Sequence, residues 1–385
     1  IIIVGWRDIV PTAKRCQVVV WAVFLAMILF VSGCGGRQPV KIGFVAGLTG
    51  RQSDIGVAGR NGVILAVEEI NKNGGIAGRP VELVVKDDKN DPDVVRLVDE
   101  EFIHAGIGTI IGHMTSVAAV ASLPVIAGGK VLIVSPTATA DILSGRDDLM
   151  ITVMPPLGFS ARAQATYAVD TLGLKKMIVI YDRSNADFSQ AWEQAFTAKY
   201  EELGGKIVTK ISFISGKSVN YESLANDVAG YSPAGVLIIA GAVDAAVLSQ
   251  WLRKNQLTAP IFSSSWAMTD DFIQHGGLAA EGVIFSSPFV PDAQGLSYSK
   301  FTRNYQERFG NRPNYAAAYG YEAAQILLAG VKKAGNTEAQ PVKAAIIAQR
   351  QFPGLWNSIT INATGDTTRL ARLIVVKDGQ FVPLD

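Results

Sequence analysis

The chain has 385 residues, with 35 Lys+Arg against 34 Asp+Glu, so it carries almost no net charge. Near-neutrality without a basic stripe argues against a nucleic-acid partner, and an apolar fraction of 49% supports a large core rather than a disordered chain. The two cysteines, Cys16 and Cys34, fall in the first 34 residues, so the remainder has no thiol chemistry, disulfide or Cys-based metal site.

In chain order, residues 1–34 read as an export signal. A basic lead (Arg7, Lys14, Arg15) precedes the apolar "CQVVVWAVFLAMILFV", and "VSGC" places small residues before Cys34. That ending resembles the bacterial lipobox, in which the Cys is lipidated. An uncleaved anchor or a short buried helix would use the same apolar stretch. From residue 40, short apolar runs alternate with amphipathic ones. "VKIGFVAG" predicts a strand, "GRNGVILAVEEINKNGG" a helix and "RPVELVVKDD" a strand. "DPDVVRLVDEEFIHAG" predicts a helix with Asp91 as N-cap and Pro92 in its first turn. "IGTIIGHMTS", "VAAVASLPVIAGGK" and "VLIVSPTAT" predict strand, helix and strand. A break follows at "DLMITVMPPLGF", where Pro155–Pro156 stops the run. The alternation resumes from "FSARAQATYAVDTLG" to the strands "KKMIVIYD", "KIVTKISF", "AGVLIIAG" and "APIFSSSW". After "EGVIFSSPFVPDA" come two helices with no strand between them, then short strands with turns at Gly365–Asp366 and Asp378–Gly379. Two βαβ series predict two parallel-sheet units with helices on both faces.

Two strands end in hydroxyls: "TIIGHMTS" and "VLIVSPTATA". In open parallel sheets, ligands lie beyond the carboxyl ends of the strands. Helix N-termini that follow there offer free amides and a positive dipole end. Ser116, Thr137 and Thr139 would complete an anion cradle, although each taken singly also suits a helix cap. His113 stands at a strand end and either lines the cleft or is a satisfied structural His.

"VKIGFVAGLTG", "INKNGGIAGRPVEL" with "DPDVV", "IGHMTS" and "VSPTATADIL" resemble the branched-chain amino acid (Leu/Ile/Val) binding proteins of ABC transporters. The resemblance runs over residues 39–385. It implies the type I periplasmic-binding-protein fold: two doubly wound α/β lobes joined by a three-strand hinge. The implied division is 39–157 and 288–355 in lobe 1, and 158–287 with the C-terminal strands 356–385 in lobe 2. It implies a ligand carboxylate on Ser116 and Thr139, a backbone contact at Thr137–Ala138, and Phe188 lining the cleft where relatives have Tyr. The sequence departs from the family at Ser265, where some members hold the ligand ammonium with Glu. Trp266 stands beside it, Ala242 replaces a cleft Tyr, and Ile55 replaces an aromatic. Asn90 and Thr115 stand at the family's disulfide positions. Asp244 and Asp54 are the acids nearest the missing Glu.

The implied protein is a monomeric, lipid-anchored solute-binding component of an ABC importer, held outside the cytoplasmic membrane at Cys34. It would be no enzyme, need no cofactor or metal, and bind an apolar or aromatic amino acid. A non-amino small carboxylate and a periplasmic sensor subunit are the alternatives. An enzyme would need a nucleophile–base pair or a cofactor loop, and neither motif is present. "GFVAGLTG" lacks G-x-G-x-x-G spacing, and "SGKS" lacks the first Gly of a P-loop, with Ile211 in its place. The three His (104, 113, 275) lack metal-ligand spacing.

Overall fold

The computed structural model describes residues 38–384, apart from 51, 217 and 291–294. The leader and Cys34 lie outside the described residues. Two separate sheets form. The first contains β1 (Val40–Ala46), β2 (Val81–Asp87), β3 (Thr109–Ile111), β4 (Leu132–Ser135) and β5 (Met150–Thr152), all parallel, in the order β2-β1-β3-β4-β5. Its central strands are apolar on both faces because helices cover both. Ile42 and Phe44 of β1, Ile110 and Ile111 of β3 and all of β4 are fully buried. The connecting helices are α1 (Ser53–Lys72), α2 (Pro92–His104) and α3 (Ser116–Ile126). Asp91 caps α2, accepting the Asp93 N–H at 2.9 Å.

The chain then crosses to the second sheet, through α4 (Gly158–Thr166), β6 (Lys176–Asp182), α5 (Ala186–Glu202), β7 (Lys206–Phe213), α6 (Tyr221–Gly230), β8 (Gly235–Ile239), α7 (Ala242–Lys254), β9 (Ile261–Ser263), α8 (Asp270–Gly276) and β10 (Ile284–Ser287). It returns for α9 (Leu296–Phe309), α10 (Tyr315–Ala334) and α11 (Ala339–Gln349), which rejoin the first sheet. A two-stranded β11–β12 pair (Gln351–Phe352, Ile359–Thr360) precedes a third crossing. Finally β13 (Arg372–Lys377) and β14 (Gln380–Pro383) extend the second sheet antiparallel from β10, giving β14-β13-β10-β9-β8-β6-β7. Two lobes of parallel-sheet architecture, crossed three times by the chain, agree with the fold class expected from the alternation. β5 lies inside the stretch read as a break. Three residues next to Pro155–Pro156 are too few to show a pattern.

The crossings are tied together. Asp366 accepts from the Gly145 amide at 2.9 Å, and Thr367 Oγ1 donates to the Val153 carbonyl at 2.7 Å. Beside them Arg369 pairs with Glu322 of α10 at 2.8 Å, both buried, and lies 4.3 Å from the Trp356 ring centroid.

α1 and α10 pack almost backbone to backbone. A Cβ on Gly62 would stand 2.0 Å from the Ala317 carbonyl oxygen, and one on Gly320 would stand 2.4 Å from the Gly59 carbonyl oxygen. Neither obstacle is a side chain that can turn aside. Gly62→Ala is therefore expected to lower stability by about 1–3 kcal/mol, as overpacking does. Urea unfolding would show this, and an unchanged midpoint would mean that the two helices separate freely.

Candidate functional site

The strand order of the first sheet reverses between β1 and β3, and that of the second between β6 and β8. Such switch points leave crevices at the carboxyl ends of the strands. Here the two crevices open onto one narrow cavity between the lobes. Ile55, Met114, Thr115, Ser116, Thr137 and Met154 line it from the first lobe; Asn185, Phe188, Ser265 and Trp266 line it from the second. Tyr315, the first residue of α10, closes one side.

Ser116 opens α3. Its Oγ accepts the amide N–H of Thr139 at 3.1 Å and of Ala140 at 3.2 Å, so both lone pairs are occupied and the hydroxyl proton is left to donate. Thr137 Oγ1 donates to the Met114 carbonyl at 2.5 Å, which joins the ends of β3 and β4 and leaves this oxygen only lone pairs to offer. Thr115 donates to Asn90 Oδ1 at 3.0 Å and does not cap α3 through its side chain. None of these hydroxyls caps a helix, so capping does not explain the cluster. Thr139 Oγ1 is buried and has no hydrogen-bond partner among the described residues.

Four contacts close the lobes over the cavity. Val117 N–H at the head of α3 donates to Asn185 Oδ1 at 3.1 Å, and Gln52 donates to Ser184 Oγ at 2.8 Å. Thr269 Oγ1 donates to Asp54 at 3.0 Å, and Tyr315 OH donates to the Trp266 carbonyl at 3.4 Å. Burial lifts the Asp54 carboxyl to about 6, against the Ile55 amide and Thr269 hydroxyl, with the like charge of Asp271 adding to the rise. Phe188 meets Trp266 edge to face, with ring centroids 5.8 Å apart.

Of the residues singled out in the sequence, the cavity lining includes Ile55, Ser116, Thr137, Phe188, Ser265 and Trp266. Ala138 and Thr139 are buried beside Ser116, off the lining. Two placements are corrected. His113 does not face the cleft: it is fully buried, with Nδ1 2.6 Å from Asp88 and Nε2 3.2 Å from Asp99. Burial alone would depress its imidazolium, but Asp99 and Asp88 raise it to about 10. Asp244 is off the lining too, bonded to Ser215 Oγ at 2.7 Å and to the Tyr221 hydroxyl. On α10, Tyr319 is buried against Trp356 and Arg369 beside the crossings, and Tyr321 donates to Glu69 at 2.6 Å. The reading from sequence missed Met114, Thr115, Met154, Asn185 and Tyr315 as lining residues. Asn185 had a usable signal, since it shares the strand-end loop "DRSNADF" with Phe188.

Among the described residues, no helix is long and apolar enough to cross a membrane. A family model described as periplasmic binding protein matches residues 39–380. The chain is 28% identical to the Leu/Ile/Val-binding protein BraC3 of Rhizobium johnstonii over 86% of its own length and 89% of that protein. Among solved structures it is similar to the leucine binding protein LivK of Thermotoga maritima, with TM-score 0.82, 26% identity and coverage of 90% and 98% of the two chains. A solute binding protein from R. palustris, solved in complex with benzoate, shares the fold at TM-score 0.82, with 22% identity and coverage of 90% and 95%.

Proposed function

The chain belongs to the periplasmic binding protein family, and from that premise we propose that it is the lipid-anchored, extracytoplasmic solute-binding component of an ABC importer, closing its two lobes on a small carboxylate. Its relatives are solute-binding proteins, not enzymes. The observation that carries the ligand class is Ser116. A hydroxyl whose lone pairs both hold amides can only donate, and it does so at the head of a helix whose dipole favours an anion. One similar protein is named a leucine binding protein and another was solved in complex with benzoate, and leucine and benzoate both carry a carboxylate.

Function follows from closure. Each interlobe hydrogen bond joins residues from the switch loops or helix heads of opposite lobes, so a ligand bridging Ser116 and the Phe188–Trp266 wall favours the closed pair. A permease would recognise that closed form. Cys34 would tether the chain to the membrane, with residues 1–33 removed. Expression of the full chain in a bacterium tests the whole reading. The protein is expected in the membrane fraction, acylated on Cys34, and Cys34→Ala is expected to release it with a small acid that native mass spectrometry detects. A soluble wild type with an unmodified amino terminus would overturn the anchor. A closed protein that never retains or takes up an acid would overturn the ligand class.

A further inference from the structure

Resting on that reading of the cleft, we propose that the ligand carries no ammonium group: it is a monocarboxylic acid with an apolar, preferably aromatic, body. An ammonium brings three donors and a full charge, and burying it requires an acid or several free acceptors. Among the described residues, no Asp or Glu lines the cavity. Asp54 is the neighbour of Ile55, but its carboxylate bonds to Thr269 across the lobe interface and faces Asp271. Asp244 is bonded to Ser215 and Tyr221.

The neutral acceptors do not replace an acid. Ser116 Oγ already takes two amides, and Asn185 Oδ1 already takes the Val117 N–H. What remains is the lone pairs of the Thr137 and Ser265 hydroxyls, the second lone pair of Asn185 Oδ1 and the unpartnered Thr139 Oγ1 beside Ser116, all of them uncharged. The donor side is the stronger one: the Ser116 proton, the Asn185 amide nitrogen and the head of α3. Such a set matches a net anion better than a zwitterion. The rest of the wall is soft and aromatic, with Met114, Met154, Phe188 and Trp266. Thioethers and ring edges pack well against an aromatic face.

The test uses the full chain carrying Cys34→Ala, dialysed free of carried-over ligand, and calorimetry on matched pairs. Leucine is paired with 4-methyl-2-oxopentanoate and phenylalanine with 3-phenylpropanoate, and benzoate is added alone. The deaminated acid of a pair is expected to bind at least about tenfold tighter than its amino acid. An amino acid that binds as tightly as its partner acid, or tighter, overturns the proposal. If none of the five acids binds, the carboxylate reading itself falls, and this proposal with it. Ser265→Glu supplies a second measurement, because it places a charge where the ammonium would need one. It should shift the preference at least about tenfold toward the amino acid of each pair. An unchanged preference would also overturn the proposal.

Discussion

Replacing His113 by Gln should lower the unfolding free energy by roughly 3–5 kcal/mol, the usual effect of removing one partner from a buried charge cluster. His113, Asp88 and Asp99 are all fully buried, and Ser122 Oγ adds a 2.5 Å bond to Asp99. The cluster joins the loop after β2, helix α2, the end of β3 and helix α3, so the loss should appear as weakened cohesion of the whole first lobe. Gln can still donate but cannot supply the positive charge. The sign of the pH dependence follows from the raised imidazole. In the folded chain it titrates at about 10, against an ordinary value of 6.5. Its contribution is therefore complete below pH 6.5 and is lost as pH climbs toward 10. Urea unfolding between pH 6 and 10 should show a decline in the wild type that is absent in His113→Gln. A loss under about 1 kcal/mol at pH 6 would mean that the two carboxylates are held by other means.

The sequence disclosed most of this architecture because parallel strands covered on both faces leave uninterrupted apolar runs. "VKIGFVA" and "GVLII" are the clearest, with every residue of β8 buried. Elements too short to carry a period escaped notice: β5, the seven-residue α8, and the two-residue strand β11. Half of the site was legible for a chemical reason. Hydroxyls clustered at strand ends are conspicuous in an apolar run, and Ser116 and Thr137 were found that way, whereas Ser265 and Phe188 came only from the family resemblance. Met114 and Met154 look like any core residue, and Tyr315 reaches the cavity only through the chain's return to the first lobe. His113 shows the limit of a strand-end position. It marks where a side chain starts but not where it points, and its partners lie 25 and 14 residues away in sequence.

Ser116→Ala should weaken ligand binding by two orders of magnitude or more and also destabilise the empty protein by about 1–3 kcal/mol. The first effect comes from deleting a charge-assisted bond worth roughly 1.5–3 kcal/mol, about 10- to 150-fold, and from loosening the cradle around it. The second arises because the amides of Thr139 and Ala140 would lose their acceptor while remaining buried. Thr139→Val separates these causes. Its hydroxyl has no partner among the described residues, so Val should leave the empty protein as stable as the wild type or more so. With ligand present, the same change should lower affinity roughly 10- to 150-fold if the Thr139 hydroxyl, buried beside Ser116, donates to the same carboxylate. Calorimetry with the tightest-binding acid, together with urea unfolding of the empty variants, measures both quantities. Unchanged affinity in both variants, with both folded, would move the carboxylate away from the head of α3. Unchanged affinity in Thr139→Val alone would keep it on Ser116 and leave the Thr139 hydroxyl a purely internal feature of the loop after β4.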